Sequence, residues 1–284
     1  MVYVNPPQRI GVVLMPRRRL NDAALRFLIL VMNSEQDIFQ FEFYNPAPGD
    51  PMLTTLLGRD PVTRTSVRDQ LPEFADRMRD HLSRKISGYK LVEEPPQRFI
   101  VIAHCCFDDN FYSTRRGDAS VVALGNWKRY MAPPSLLEFA QMLLVREAVA
   151  TLCPSLRGSV HLGNKGCLLD FTELLSEVRQ KALRGYVCHF CGSRMHADGQ
   201  SELADTVTRL LGREWLGSPS DPRTPAGVAA NLGYDLFIAK GVRATPREAF
   251  LTAIRQEGAK QIVTVISGIA LAAITFWIGL KTGH

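Results

Sequence analysis

One histidine and three cysteines stand at a spacing that could hold a metal ion, His161-x5-Cys167-x20-Cys188-x2-Cys191. A Cys-x2-Cys pair can grip one zinc ion from a tight turn, and two further ligands from a distant hairpin complete a tetrahedron. Four protein ligands leave no open coordination position, so the chemistry implied is structural: the ion adds folding energy rather than reactivity. Gly192 follows the second cysteine of the pair. It predicts a zinc-knuckle-like insertion in which backbone amides approach the sulfurs. The same residues allow other readings. Cysteine packs readily as a buried thiol, Cys153 could take the place of His161, and His189 inside the Cys-x2-Cys loop is expected to point elsewhere. A thioredoxin-like redox pair would need the two cysteines at the start of a helix after a strand, and the strand before Cys188 is short.

A second polar group, His104-Cys105-Cys106 followed by Asp108 and Asp109, closes the apolar run FIVIAH. The end of a buried strand is where α/β folds place ligands. Adjacent strand residues face opposite sides, so His104 and Cys105 would not meet; His104 and Cys106 would share a face but need a bend to touch. A nucleophilic Cys–His pair here stands beside the reading of core thiols followed by a solvated turn. No Gly-rich phosphate loop, nucleophile elbow or dinucleotide fingerprint occurs in the chain.

Residues Arg146 to Cys191 resemble the C-terminal half of archaemetzincin-type zinc proteases. The stretches that carry the likeness are Gly166 to Phe171 (GCLLDF), Leu174 to Val178 (LLSEV) and Tyr186 to Cys191 (YVCHFC). In that family a helix bears two zinc-binding histidines flanking a catalytic glutamate. A third histidine follows, and then a four-cysteine zinc site ending in Cys-x2-Cys. Laid on that helix, Glu147 takes the glutamate's place, while Arg146 and Ala150 stand where the first two histidines should be, and no HExxH occurs. His161 sits near both the last histidine and the first cysteine of the second site, and can serve only one role. The resemblance implies a protease-like scaffold that keeps its structural zinc and has lost the catalytic one. Arg146 would repel an ion at the first site, leaving Glu147 no metal-activated water to deprotonate.

The elements that must position these residues alternate between strand and helix patterns. Ile10 to Met15, Phe99 to His104 and Ser120 to Leu124 are short apolar runs of buried strands, and Asp37 to Tyr44 alternates like a half-buried one. Asn21 can cap a helix from Asp22 to Met32 whose near-complete apolarity predicts burial on all sides. Leu71 to Ile86 is a charged amphipathic helix. Arg115 to Asp118 is a turn between strands. Leu136 to Leu152 is a long helix opened after Pro133 and Pro134 and stopped by Pro154. Further helices are expected over Phe171 to Arg184, Ser201 to Trp215, Ala226 to Lys240 and Thr245 to Glu257. Interleaved strands and helices indicate an α/β fold, a mixed sheet with flanking helices. The expected division is a zinc-binding domain over 1–195, a helical stem over 196–260 and a membrane anchor over 261–284.

The anchor rests on Ile262 to Leu280, a run without a charged residue between Lys260 and Lys281. As a helix rising about 1.5 Å per residue it would span about 28 Å, close to a bilayer's hydrocarbon core. The first residues do not read as a signal peptide, so the expectation is a C-terminal transmembrane helix with the N-terminal domain in the cytosol. Arg243, Arg247, Arg255 and Lys260 lie on the side that the positive-inside rule places there. Within the run, Gly268 and Ala272 are a small-xxx-small pair through which two spans could pair as a homo-oligomer. The net charge of +6 and pI of about 9.1 are spread along the chain apart from Arg17-Arg18-Arg19. The charge therefore suits a lipid membrane as partner rather than nucleic acid. Six cysteines in a cytosolic setting point to thiols or metal ligands rather than disulfides. The function implied is a membrane-bound, zinc-containing binding or effector module. Two alternatives remain open: a membrane-tethered metallohydrolase with a catalytic metal on His104, Asp108 and His161, and a membrane-disrupting effector.

Overall fold

The apolar runs around Ile10, Phe41, Ile100 and Val121 become strands of a single five-stranded sheet in a computed structural model of the chain. The strands are β1 (Gln8–Leu14), β2 (Phe39–Phe43), β3 (Arg98–Ala103), β4 (Ser113–Arg116) and β5 (Ala119–Ala123). They lie in the order β2-β1-β3-β5-β4. All neighbours are parallel except β4, which runs antiparallel to β5 at one edge. The structure describes residues 6–15, 22–58, 61–125, 136–158, 160–164, 166–171, 181–182 and 185–233, all within one compact unit spanning residues 1–241.

Strand alternation builds two apolar cores, one on each face of the sheet. Ile10, Val12, Ile100, Ile102 and Val122 face the first core, while Val13, Phe99, Val101, Val121 and Ala123 face the second. Helices α1 (Asp22–Ser34), α4 (Leu136–Leu152), α6 (Ser201–Gly212) and α7 (Pro225–Asn231) send side chains into the first. Helices α2 (Pro51–Leu56) and α3 (Arg64–Gly88) cover the second. A short helix α5 (His189–Ala197) contributes Cys191 and Met195 to the first core. The result is a sheet between two helical layers, the mixed α/β plan expected. Gly11 lies where a Cβ would come within 2.5 Å of the Phe99 ring on the neighbouring strand, so the close β1–β3 approach depends on it. At the β4–β5 hairpin Gly117 takes φ +60°, a left-handed turn position that suits glycine.

Several expectations are corrected. The helix enclosed on all sides is α4, not α1. Nearly every α4 residue is buried, Glu138, Gln141 and Glu147 included, whereas α1 buries a stripe of Ala24, Leu25, Leu28, Ile29 and Met32 and leaves Leu30 exposed. Helix α3 begins at Arg64, earlier than Leu71, and carries Pro72 in its interior. An interior proline costs about 3 kcal/mol. The buried stripe Val67, Leu71, Phe74, Ala75, Met78 and Leu82 outweighs this at about 1.5–3 kcal/mol for each large side chain. Arg115 and Arg116 belong to β4, and only Gly117 and Asp118 form the turn. The segment expected as a separate stem from residue 196 packs into the first core through Leu203, Val207, Leu210, Leu216 and Ala226, because its apolar stripe has that core to cover. Among the described residues no helix is long and apolar enough to cross a membrane. The run 262–280 with its Gly268 and Ala272, the helix over 245–257, most of the helix over 171–184, Asn21 and the Arg17–Arg19 cluster lie outside the described residues.

Candidate metal centre and the adjoining cleft

Three short segments bring the four candidate ligands together. Residues 160–164, 166–171 and 185–188 are stitched by two isolated bridges, His161 to Asp170 and Cys167 to Tyr186. Backbone bonds from Phe171 N to the His161 carbonyl (2.8 Å) and from Leu168 N to the Tyr186 carbonyl (2.9 Å) hold them in place. Gly166, at φ +97°, makes the bend into Cys167 and lets the Tyr186 ring approach. Cys188 is the N-cap residue of α5 and Cys191 lies in its first turn. The pair therefore sits at a helix N-terminus. This corrects the knuckle reading. Gly192 is a helical residue whose amide bonds the Cys188 carbonyl at 2.9 Å, while amides of Cys188 and Leu169 reach the Cys167 sulfur. Pairs at helix starts do favour redox chemistry, but here Cys167 and His161 close over the pair.

The donor atoms of His161, Cys167, Cys188 and Cys191 all lie within 4.8 Å of one another, a His/Cys3 cluster able to bind a metal ion. The sulfurs of Cys167 and Cys191 are 3.8 Å apart. His161 Nε2 lies 3.3 Å from Cys167 Sγ and 3.5 Å from Cys188 Sγ. Zinc–sulfur bonds of about 2.3 Å and zinc–nitrogen bonds of about 2.0 Å at tetrahedral angles require edges of about 3.8 Å and about 3.5 Å. The cluster has the spacing and the soft donor set that zinc needs. The three cysteines are buried. The Cys167 thiol is driven far below the ordinary thiol range, first by its hydrogen bond with Cys191 and further by amides of Cys188 and Leu169 and by His161, against the effect of burial. Cys191 moves up, as the other partner in that hydrogen bond and through burial. A cluster in which one thiolate is already favoured is suited to a cation.

Sequence reasoning did not find Asp170, which backs the cluster. It is buried, and its Oδ1 lies 3.3 Å from His161 Nδ1, the ring nitrogen turned away from the sulfurs. At this distance the two atoms face each other without an aligned hydrogen bond, in the position from which a carboxylate can orient a ligating histidine. Its backbone carbonyl accepts from Lys181 Nζ. Lys181 is buried, and burial, followed by the charge of Arg146, pushes its pKa down to about 8. Cys153 does not join the cluster. It lies in the apolar core, and burial pushes its thiol up to about 12. His189 is exposed at the start of α5.

The other candidates separate. Among the described residues, His104, Asp108 and His161 form no common metal-binding group. Asp108 is turned instead to the start of α3, where its Oδ1 accepts from the Arg64 amide at 3.1 Å. Cys105 is buried and Cys106 half-buried beyond the end of β3.

Between β4, the start of α3, α4 and the segment carrying Asp170 lies a cleft of about 360 Å³. Glu147, at 1% exposure, stands behind it. Arg115 Nε and Nη2 both donate to Glu147 Oε2, at 2.8 and 2.7 Å. Arg146 Nη1 donates to Glu147 Oε1 at 3.3 Å and to Ser113 Oγ at 2.7 Å. Burial lowers the Arg115 pKa, offset by the charge of Glu147, and the guanidinium remains a cation at any physiological pH. Residues 115 and 147 could not be paired from the sequence, because the contact joins an edge strand to a helix 32 positions away.

No family model and no curated relative matches the chain. Among solved structures the chain is similar to an archaemetzincin from Methanopyrus kandleri, 16% identical, with a TM-score of 0.45, over 70% of this chain and 99% of that one.

Proposed function

We propose that this protein is a zinc-braced α/β domain of protease-like plan that binds its partner without cutting it, held at a membrane by the run 262–280. The observation that carries this reading is the Arg115–Glu147–Arg146 cluster. A general base for peptide hydrolysis must reach its water within hydrogen-bonding distance. Both Glu147 oxygens instead accept from guanidinium groups, and the side chain is 1% exposed. Arg146 stands where the sequence resemblance puts a metal-binding histidine, and its fixed positive charge opposes a cation there.

The zinc ion would be held by His161, Cys167, Cys188 and Cys191 and would supply folding energy, with no position open to water. His161 would be oriented by Asp170. The basic residues Arg243, Arg247, Arg255 and Lys260 preceding the apolar run suit an anionic leaflet, at about 1 kcal/mol for each one close to the surface. Self-association through Gly268 and Ala272 belongs to the same proposal.

Three measurements on the full chain test it. Elemental analysis is expected to return one zinc per chain, released by chelators only with unfolding. Fractionation is expected to leave the chain in the membrane pellet after alkaline wash. Incubation with a peptide library is expected to return the library intact. A second, labile metal accompanied by peptide cleavage would replace this reading with that of a membrane-tethered metallohydrolase.

A further inference from the structure

Helix α3 ends in an apolar knob that projects into solvent. The chain leaves its last turn through Tyr89, Lys90, Leu91 and Val92. Tyr89 is 77% exposed, Leu91 53% and Val92 102%, the last as open as in an extended chain. Single exposed apolar side chains are ordinary on a protein surface; three within four residues are not. The knob has a defined shape. Leu91 N donates to the Ile86 carbonyl at 3.0 Å and Lys90 N to the Ser87 carbonyl at 3.1 Å. This is the Schellman pattern that closes a helix, with Lys90 at φ +56° in the left-handed position more often given to glycine. In such caps the residue at the place of Leu91 frequently packs back on the helix, yet Leu91 keeps over half of its surface in solvent.

The charge on the knob has one sign. From Ser83 to Val92 the chain carries Arg84, Lys85 and Lys90, all exposed, and no acid. The nearest acids in sequence stand behind it. Asp80 lies about 12 Å back along the helix from its end at Gly88. Glu93 faces Arg9 on β1 at 3.5 Å, and the same guanidinium bonds the Glu94 carbonyl at 2.8 Å, so the chain turns back to the sheet directly after Val92. What projects is a convex apolar tip edged by cations. It offers no concavity to seat a partner's side chain and no acid to receive a basic one. A bilayer with anionic headgroups asks for neither: it takes apolar side chains below the headgroups and cations among them. Tyrosine suits the headgroup level, and lysine and arginine stems can lie along apolar surface while their charges stay in water.

We infer that Tyr89, Leu91 and Val92 dip into a phosphatidylserine-containing bilayer, with Arg84, Lys85 and Lys90 among its headgroups. The direction of α3 then sets which way the cleft looks. Arg64 and Arg68, at the start of the helix, line the cleft, and the 25 residues of α3 span about 37 Å. The cleft therefore sits at the far end of the helix from the lipid. The inference rests on the membrane setting proposed above and not on the run 262–280 itself.

The test uses the full chain in nanodiscs of phosphatidylcholine, with or without added phosphatidylserine. A fluorescent naphthyl amino acid replaces Tyr89 in one sample and Arg68 in another, and nitroxide-labelled lipid quenches whichever reaches the bilayer. Quenching is expected at position 89 in the discs with phosphatidylserine, weakening as salt rises, and none at position 68. Lys85→Gln and Lys90→Gln should each lower the ratio of inserted to free tip about fivefold. Leu91→Ser should lower it further, and because all three residues are exposed the urea midpoint should not move. An unquenched position 89 would overturn the inference. So would equal quenching at positions 89 and 68, or quenching indifferent to phosphatidylserine and to both lysines. A chain recovered outside the discs would fail the anchor alone. The same label is then read with phosphatidylserine vesicles, where quenching at position 89 upholds the inference and its absence overturns it.

Discussion

Two buried charge clusters flank the same cleft, and they are balanced in opposite ways. At Arg115–Glu147–Arg146 the chain supplies both signs, two guanidinium groups sharing one carboxylate. At His161–Cys167–Cys188–Cys191 it supplies donors alone, with one thiol already driven toward thiolate, and the compensating cation must come from outside. The first arrangement needs no metal. The second, on the function proposed above, would tie folding to one.

The largest effect expected from breaking this contrast is at the cage. Cys188→Ser should abolish zinc content and the cooperative melt together, since structural zinc contributes on the order of 10 kcal/mol to small metal domains. Elemental analysis paired with circular dichroism reads both, and a folded variant with normal zinc would remove the basis of the comparison. The arginine–glutamate cluster should respond in a different pattern. Glu147→Leu strands the Arg115 guanidinium and should cost about 3–5 kcal/mol, whereas the double change Arg115→Met with Glu147→Leu should recover most of it. Urea denaturation of the three variants decides this, and a double variant no better than the single would mean that the arginine was never short of a partner.

Lys181 sharpens the contrast through pH. Its folded pKa, about 8, lies below its ordinary value of 10.5. Between those two values the unfolded chain holds a proton that the folded chain has shed, so this group makes stability rise with pH across that window. Below about pH 8 both states are protonated and the burial penalty is felt in full, up to about 3 kcal/mol. Replacing Lys181 with Met should flatten that rise relative to the natural chain, measured by urea midpoints at pH 7.5 and 10. Parallel slopes for the two proteins would show that the ammonium is not penalised. The smallest effect belongs to Asp170→Asn. It should leave the fold intact and weaken zinc about 10- to 100-fold in a chelator competition; an unchanged affinity would mean that Asp170 does not orient His161.

The legible parts of this fold are those in which a local pattern has a single outcome. The period-two run around Phe39, Phe41 and Phe43 could serve only as a half-buried strand, and α4 ends where Pro154 requires. The grouping of His161 and Cys167 with the Cys188–Cys191 pair was legible from spacing alone, although Cys153 competed with His161 for the fourth place. What escaped depends on the rest of the molecule. Pro72 looks like a helix breaker until the stripe from Val67 to Leu82 is seen pressed on the sheet. The apolar faces of α1 and α4 look alike in sequence, yet only one of them has neighbours all round. Asp170 and Arg115 are unremarkable charged residues until folding sets them against His161 and Glu147.

The enclosure of α4 also decides what can move. A helix packed on every side has no free surface to slide along, so Arg146 and Glu147 are fixed posts. Adjustment around the cleft then falls to the turn from Phe107 to Tyr112, whose residues 108–111 are exposed. The wall behind the cleft would hold its shape whatever enters, and only the turn at its mouth would give.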